Sequence, residues 1–151
     1  MNVSNKHPIL TDDEVRAALH GLPEPGDYEV IVTTLRYRTQ PRVSAYTIFE
    51  DRSITIQVPE PFHPFGEVVP YGAKRIAAKG MKFVPLSEGV TFGNRSELIR
   101  FLYCHEWYHW YLHEIRGTKS AAETACDRFA LRNYRKRTVT MDDADASFRR
   151  R

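Results

Sequence analysis

No stretch of the 151-residue chain approaches the ~18 consecutive apolar residues of a membrane-crossing helix, which excludes an integral helical membrane protein. The opening residues, Met1 to Pro8, are polar and lack the basic-then-apolar order of a signal peptide, so a cytoplasmic setting is expected. Cysteine is scarce. Only Cys104 and Cys126 occur, and in that compartment they are expected to be two reduced, packed thiols rather than a disulfide. No internal repeat is visible, and no histidine follows His113.

What is present suits one domain with one core. Aromatic residues are plentiful and the net charge is +3. The positive charge is uneven. Arg128, Arg132, Arg135, Lys136 and Arg137 crowd one stretch, and Arg149-Arg150-Arg151 closes the chain after an acidic patch at Asp142, Asp143 and Asp145. The plain reading is a solvated helix face over 128–137 and a flexible charged tail over 138–151. The sharper reading is a weak nucleic-acid or acidic-partner contact through that face and tail.

Thr11-Asp12-Asp13-Glu14 has the form of a capping box, so a short helix is expected from Thr11 to about Gly21. Tyr28 to Tyr37, Val43 to Phe49 and Ser53 to Val58 read as strands, the last two joined by a turn at Glu50-Asp51-Arg52. Residues 59–93 hold five prolines and five glycines without sustained periodicity. They read as a long ordered loop with at most a short strand at Lys82-Phe83-Val84. Asn94 to Glu97 is a second capping-like start, opening a helix expected to reach Arg116 and stop at Gly117. Another helix is expected from Thr118 or Ser120 to about Lys136. The sum is an α+β domain over 1–137, with a small, mostly antiparallel sheet packed against two C-terminal helices.

His105-Glu106-Trp107-Tyr108-His109 carries the chemistry. Six histidines and eleven glutamates would produce H-E-x-x-H by chance roughly 0.01 times. On a helix, positions four apart share a face, so two imidazoles can converge on one zinc ion. Glu106 sits about 100° round and can reach a metal-activated water as general base. Leu98, Phe101, Leu102, His105, His109 and Leu112 fall in one helical stripe, which places the histidines where core residues are expected. Burying two imidazoles is costly unless they are paired or ligated. The bland alternative is two hydrogen-bonded core histidines in a Trp/Tyr-rich helix.

A catalytic zinc normally has three protein ligands. His113 is two turns from His105 on the same helix, about 12 Å along it, so a straight helix cannot bring all three imidazoles to one ion. It reads as a neighbour of the site. His7, His20 and His63 lie in remote or irregular segments. Glu123 is the preferred third ligand, with Asp127 on the same face of the next helix as its support or as the alternative ligand. A tight hairpin at Gly117 would favour Asp127, and a longer turn Glu123. A competing role for Glu123 is the third residue of a capping box with Ser120.

Residues 94–136 resemble the active-site core of a zincin metallopeptidase. His105-Glu106-x-x-His109 followed by Glu123-x-x-x-Asp127 resembles the gluzincin arrangement, and residues 123–130 are similar to the corresponding helix of ImmA/IrrE-type minimal peptidases. SprT-like proteases are a weaker match, because they use a later third histidine. The resemblance implies one Zn2+ per chain, hydrolysis of a protein or peptide substrate, and a sheet edge near Ser53 to Val58 that takes extended substrate by strand addition. His113 and Tyr71 are candidates for stabilising the oxyanion. The alternative function is a non-enzymatic zincin-fold module that binds protein or nucleic acid.

Overall fold

The computed structural model describes residues 1–77, 81–118 and 122–150, with the side chains of Ala77 and Met81 outside that description. The fold is α+β, built in the order β1 (Asn2–Asn5), α1 (Asp12–Leu19), β2 (Glu29–Leu35), β3 (Ala45–Ile48), β4 (Ser53–Pro59), β5 (Phe65–Ala77), β6 (Met81–Phe92), α2 (Arg95–Trp110), α3 (Glu123–Asn133) and α4 (Met141–Arg149). Among these described residues no helix is long and apolar enough to cross a membrane.

The main sheet runs β1-β2-β4-β3. Contrary to the antiparallel expectation, β1 and β4 both pair with β2 in parallel, and only the edge strand β3 is antiparallel. The burial pattern explains this. Six of the seven β4 residues are buried, with Ile54, Ile56 and Val58 fully so. Such a strand suits the covered centre of a parallel sheet rather than a half-solvated hairpin. The β3–β4 hairpin itself is present, closed by Arg52 in the left-handed region at φ 52°. β1 was not legible, because four polar-flanked residues carry no pattern.

The Thr11 capping box forms as its sequence dictates, and α1 ends before Gly21. At α2, Asn94 accepts from the Glu97 N–H, while Glu97 reaches one residue further back, to the Gly93 N–H. This helix is buried on nearly every side rather than along one stripe. It packs against α1, α3, β3 and β4. Arg100 fastens its neighbours to it, donating to the carbonyls of Ala18 and His20 at the end of α1 and of Tyr134 and Lys136 after α3. The carbonyls of Ala18, His20 and Tyr134 are among the unsatisfied acceptors that every helix end leaves.

Two segments depart from the sequence reading. Residues 59–93 are not a loop, since β5 and β6 form a long antiparallel hairpin with one irregularity at Pro70/Gly72. Only its base is anchored, through Phe65, Val69, Val90 and Phe92 against the core. Exposed on both faces further out, it has no reason to alternate, so the usual strand signal is absent. Residues 138–150 are not a flexible tail either. Thr140 donates its N–H to Asp143, opening α4, whose Ala144 is fully buried. Asp145 accepts from Tyr111 and Arg116, and the Arg116 guanidinium lies 4.3 Å from the Phe148 ring centre. Gly21, at φ +80°, meets the same segment: a Cβ there would stand 2.0 Å from the Arg137 carbonyl.

Candidate metal centre

Asn94 starts α2 in the register that brings His105, Glu106 and His109 to the end nearest β3. The helix then widens into one π-helical turn, Tyr111–Ile115, and stops at Gly117, φ +65°. The second helix begins later than expected, at Glu123 itself, so the connection is long rather than a tight hairpin. That is the condition under which Glu123, not Asp127, reaches between the two histidines to the Nε2 atoms of both. Ser120, the capping partner considered for Glu123, lies outside the described residues.

His105 Nε2 and His109 Nε2 stand 2.9 and 3.0 Å from the two carboxylate oxygens of Glu123. Taking one ligand atom from each of these residues, all three lie within 4.8 Å of one another. Among the described residues this is the group of histidine, cysteine and carboxylate side chains able to hold a metal ion. A tetrahedron with bonds of 2.0–2.1 Å has edges of about 3.3 Å, so little movement is needed to admit a zinc ion. His105 Nδ1 is 2.8 Å from Asp127 Oδ1. Asp127 thus orients the His105 imidazole from behind and is not itself among the three converging groups.

The electrostatics of the cluster favour a positive charge at its centre. Burial pushes His105 down, but hydrogen bonds to Asp127 and Glu123 outweigh it and lift the group to about 10. The bond from His105 holds Glu123 at about 2. His109 is lowered, first by burial and then by the charge on His105. Three carboxylates around two imidazoles therefore favour a proton on His105.

Glu106 is 5 % exposed, and burial raises its carboxyl. Thr47 on β3 donates to its Oε1 at 2.9 Å, while its Oε2 lies 3.6 Å from His105 Nε2. Thr47 was not legible as a site residue, because a threonine in a strand has an adequate explanation in β-propensity alone. Together with Ala45, Tyr46 and Phe49 it forms one wall of a cleft of about 330 Å³, and His105, Glu106, His109, Leu112, His113 and Glu123 form the other.

His113 is a neighbour of the histidine pair, as its spacing implied, and stacks on Phe49 with ring centres 3.9 Å apart. Tyr71 is not in this cleft. It lies on β5, where its carbonyl accepts from Arg128, which removes it as an oxyanion candidate. His20 and His63 are exposed away from the cleft, and the buried His7 accepts from the N–H groups of Ile9 and Leu10. Both cysteines are buried thiols without a disulfide, and burial pushes Cys104 up to about 12, which makes it unreactive.

Comparison of the chain with protein-family models, with curated proteins and with solved structures finds no match.

Proposed function

We propose that the chain is a zinc-dependent metallopeptidase of the minimal gluzincin type, acting on a protein or peptide in the cytoplasm. One observation carries the reading: two imidazole nitrogens and one carboxylate converge, with a second, buried carboxylate beside them. His105, His109 and Glu123 would hold the ion, a ligand set common for zinc with an open fourth position. When bound there, zinc would polarise a carbonyl and acidify a water.

The remaining steps belong to the protein. Thr47 holds the Glu106 carboxylate facing the cleft. Glu106 takes a proton from the attacking water and delivers it to the departing amine. Desolvation raises its proton affinity toward that task. Asp127 keeps the His105 ring in place. His113, on the cleft wall, is positioned to donate to charge developing on the substrate oxygen. The sheet ends at β3, whose Ala45, Tyr46 and Thr47 border the cleft, so an extended chain could add to that edge by backbone hydrogen bonds.

A binding module built on the same scaffold would have no use for a buried carboxylate oriented toward the ion. Metal analysis with a peptide-cleavage screen separates the two readings. The expected result is one zinc per chain, lost in His105→Ala and His109→Ala. Glu106→Gln should keep the metal and the fold but abolish cleavage. Zinc retained at full occupancy in both histidine variants, or cleavage unchanged in Glu106→Gln, would overturn the proposal.

A further inference from the structure

We infer that the β5–β6 hairpin is a nucleic-acid-binding arm, seated in the major groove of duplex DNA. Between Glu67 and Glu88 the chain has no acidic residue, yet it carries Lys74, Arg75, Lys79 and Lys82. These are four of the 22 basic residues and none of the 19 acidic ones. The stretch 68–87 thus carries four positive charges against a net charge of +3 for the whole chain, and the two glutamates sit only where it meets the base of the hairpin. Such a segregation of charge is the footprint expected of a polyanion-binding element.

The register decides the kind of polyanion. Lys74 faces Val84 and Ile76 faces Lys82, which puts both lysines on one face of the ribbon. Arg75 faces Phe83 on the opposite face. All three cations are exposed, and Phe83 is 62 % exposed beside Arg75. An anionic membrane meets a surface from one side and would favour one basic, one apolar face. A groove presents phosphates on both sides of whatever enters it. The major groove is about 12 Å wide and about 8.5 Å deep and admits a two-stranded ribbon. The five residue pairs from Ala73/Pro85 to Ala77/Met81 span about 17 Å at ~3.4 Å per residue, enough to fill that depth.

The basic surface continues at the base of the arm. Arg128 and the exposed Arg132 of α3 flank it beside Tyr71, Leu131 and a single acid, Glu88. By contrast, α4 does not serve this role: Asp143 and Asp145 pair with Lys136 and Arg116. The weak nucleic-acid contact considered for the tail therefore moves to the arm and the adjoining face of α3.

The test uses the full-length chain and a fluorescent mixed-sequence DNA duplex of about 20 base pairs, read by anisotropy from about 50 to 200 mM salt. Binding should be present at low salt and fall steeply as salt rises. The triple variant Lys74→Ala/Arg75→Ala/Lys82→Ala should bind at least about 10-fold more weakly, with a salt slope shallower by roughly 2–3. Its helix content by circular dichroism should match the parent, because all three side chains are exposed. An equal-charge control, Lys6→Ala/Arg16→Ala/Arg38→Ala, should bind as the parent does. Absence of duplex binding at low salt overturns the proposal, as does a triple variant that binds like the control. Duplex RNA bound as tightly as DNA would exclude the groove seat, since the A-form major groove is too narrow for side chains to read. Sedimentation with phosphatidylserine vesicles in place of DNA binding would assign the arm to membranes and overturn it equally.

Discussion

His105 Nδ1 meets Asp127 Oδ1 at 2.8 Å, across the two helices that build the centre. This contact turns the opposite ring nitrogen toward Glu123 and His109. One turn of α3 thus supplies both the carboxylate that meets the two imidazoles, at its first residue, and the group that aims the His105 ring, four residues on.

Glu123→Ala should weaken zinc binding more than Asp127→Ala. Loss of an aiming carboxylate typically costs roughly 10–100-fold in metal affinity, and loss of a ligand costs more. Zinc titration of both variants at one pH checks the order. If Asp127→Ala loses the ion and Glu123→Ala keeps it, the assignments exchange. If neither changes the affinity, the centre is not a zinc site of this composition.

Thr47 should act through Glu106. Thr47→Val keeps the shape but removes the donor to a buried carboxylate, a bond of about 1.5–3 kcal/mol. Cleavage should fall roughly 10–100-fold in kcat, with zinc affinity unchanged. Thr47→Ser should restore most of the rate. A valine variant with the parental rate would show that the bond does not hold Glu106 in its working orientation.

The chelator-treated protein should have a defined pH window. His105 is raised from 6.5 to about 10, so its contribution is full below about pH 6.5 and is lost as pH rises through about 10. Glu123 is lowered from 4.5 to about 2, so its contribution is full above about pH 4.5 and is lost as pH falls through about 2. Zinc must displace the His105 proton, so its affinity should increase as pH rises from 6 to about 8. Thermal melts with chelator and with excess zinc should therefore diverge across that range. Convergence with rising pH would contradict proton–metal competition at His105.

Deleting residues 140–151 should destabilise the domain. The truncation removes the buried Ala144 and leaves Tyr111 and Arg116 without Asp145. A loss of roughly 1–3 kcal/mol is expected, seen as a lower thermal midpoint and more extensive hydrogen exchange in the π-helical turn. An unchanged midpoint would mean that α4 lies on the surface without holding it.

The sequence by itself determined the elements whose signals are local. The Thr11 box, the Asn94 cap and the Gly117 stop each act within a few residues, and the i, i+4 histidines share a face in any helix. The α+β class and the identity of His105, Glu106 and His109 follow from such signals. Only the tertiary structure decided the rest. Glu123 could be separated from Asp127 only by where α3 starts, which depends on the path of a connection with no periodicity. Thr47 reaches Glu106 across 59 positions of sequence, through the placement of an edge strand on a buried helix. Parallel pairing on both sides of β2 and the docking of α4 likewise depend on what covers them. The extended arm was hidden for the opposite reason: with neither face covered beyond its base, burial imposed no alternation on its residues, and alternation is the pattern by which a strand is recognised.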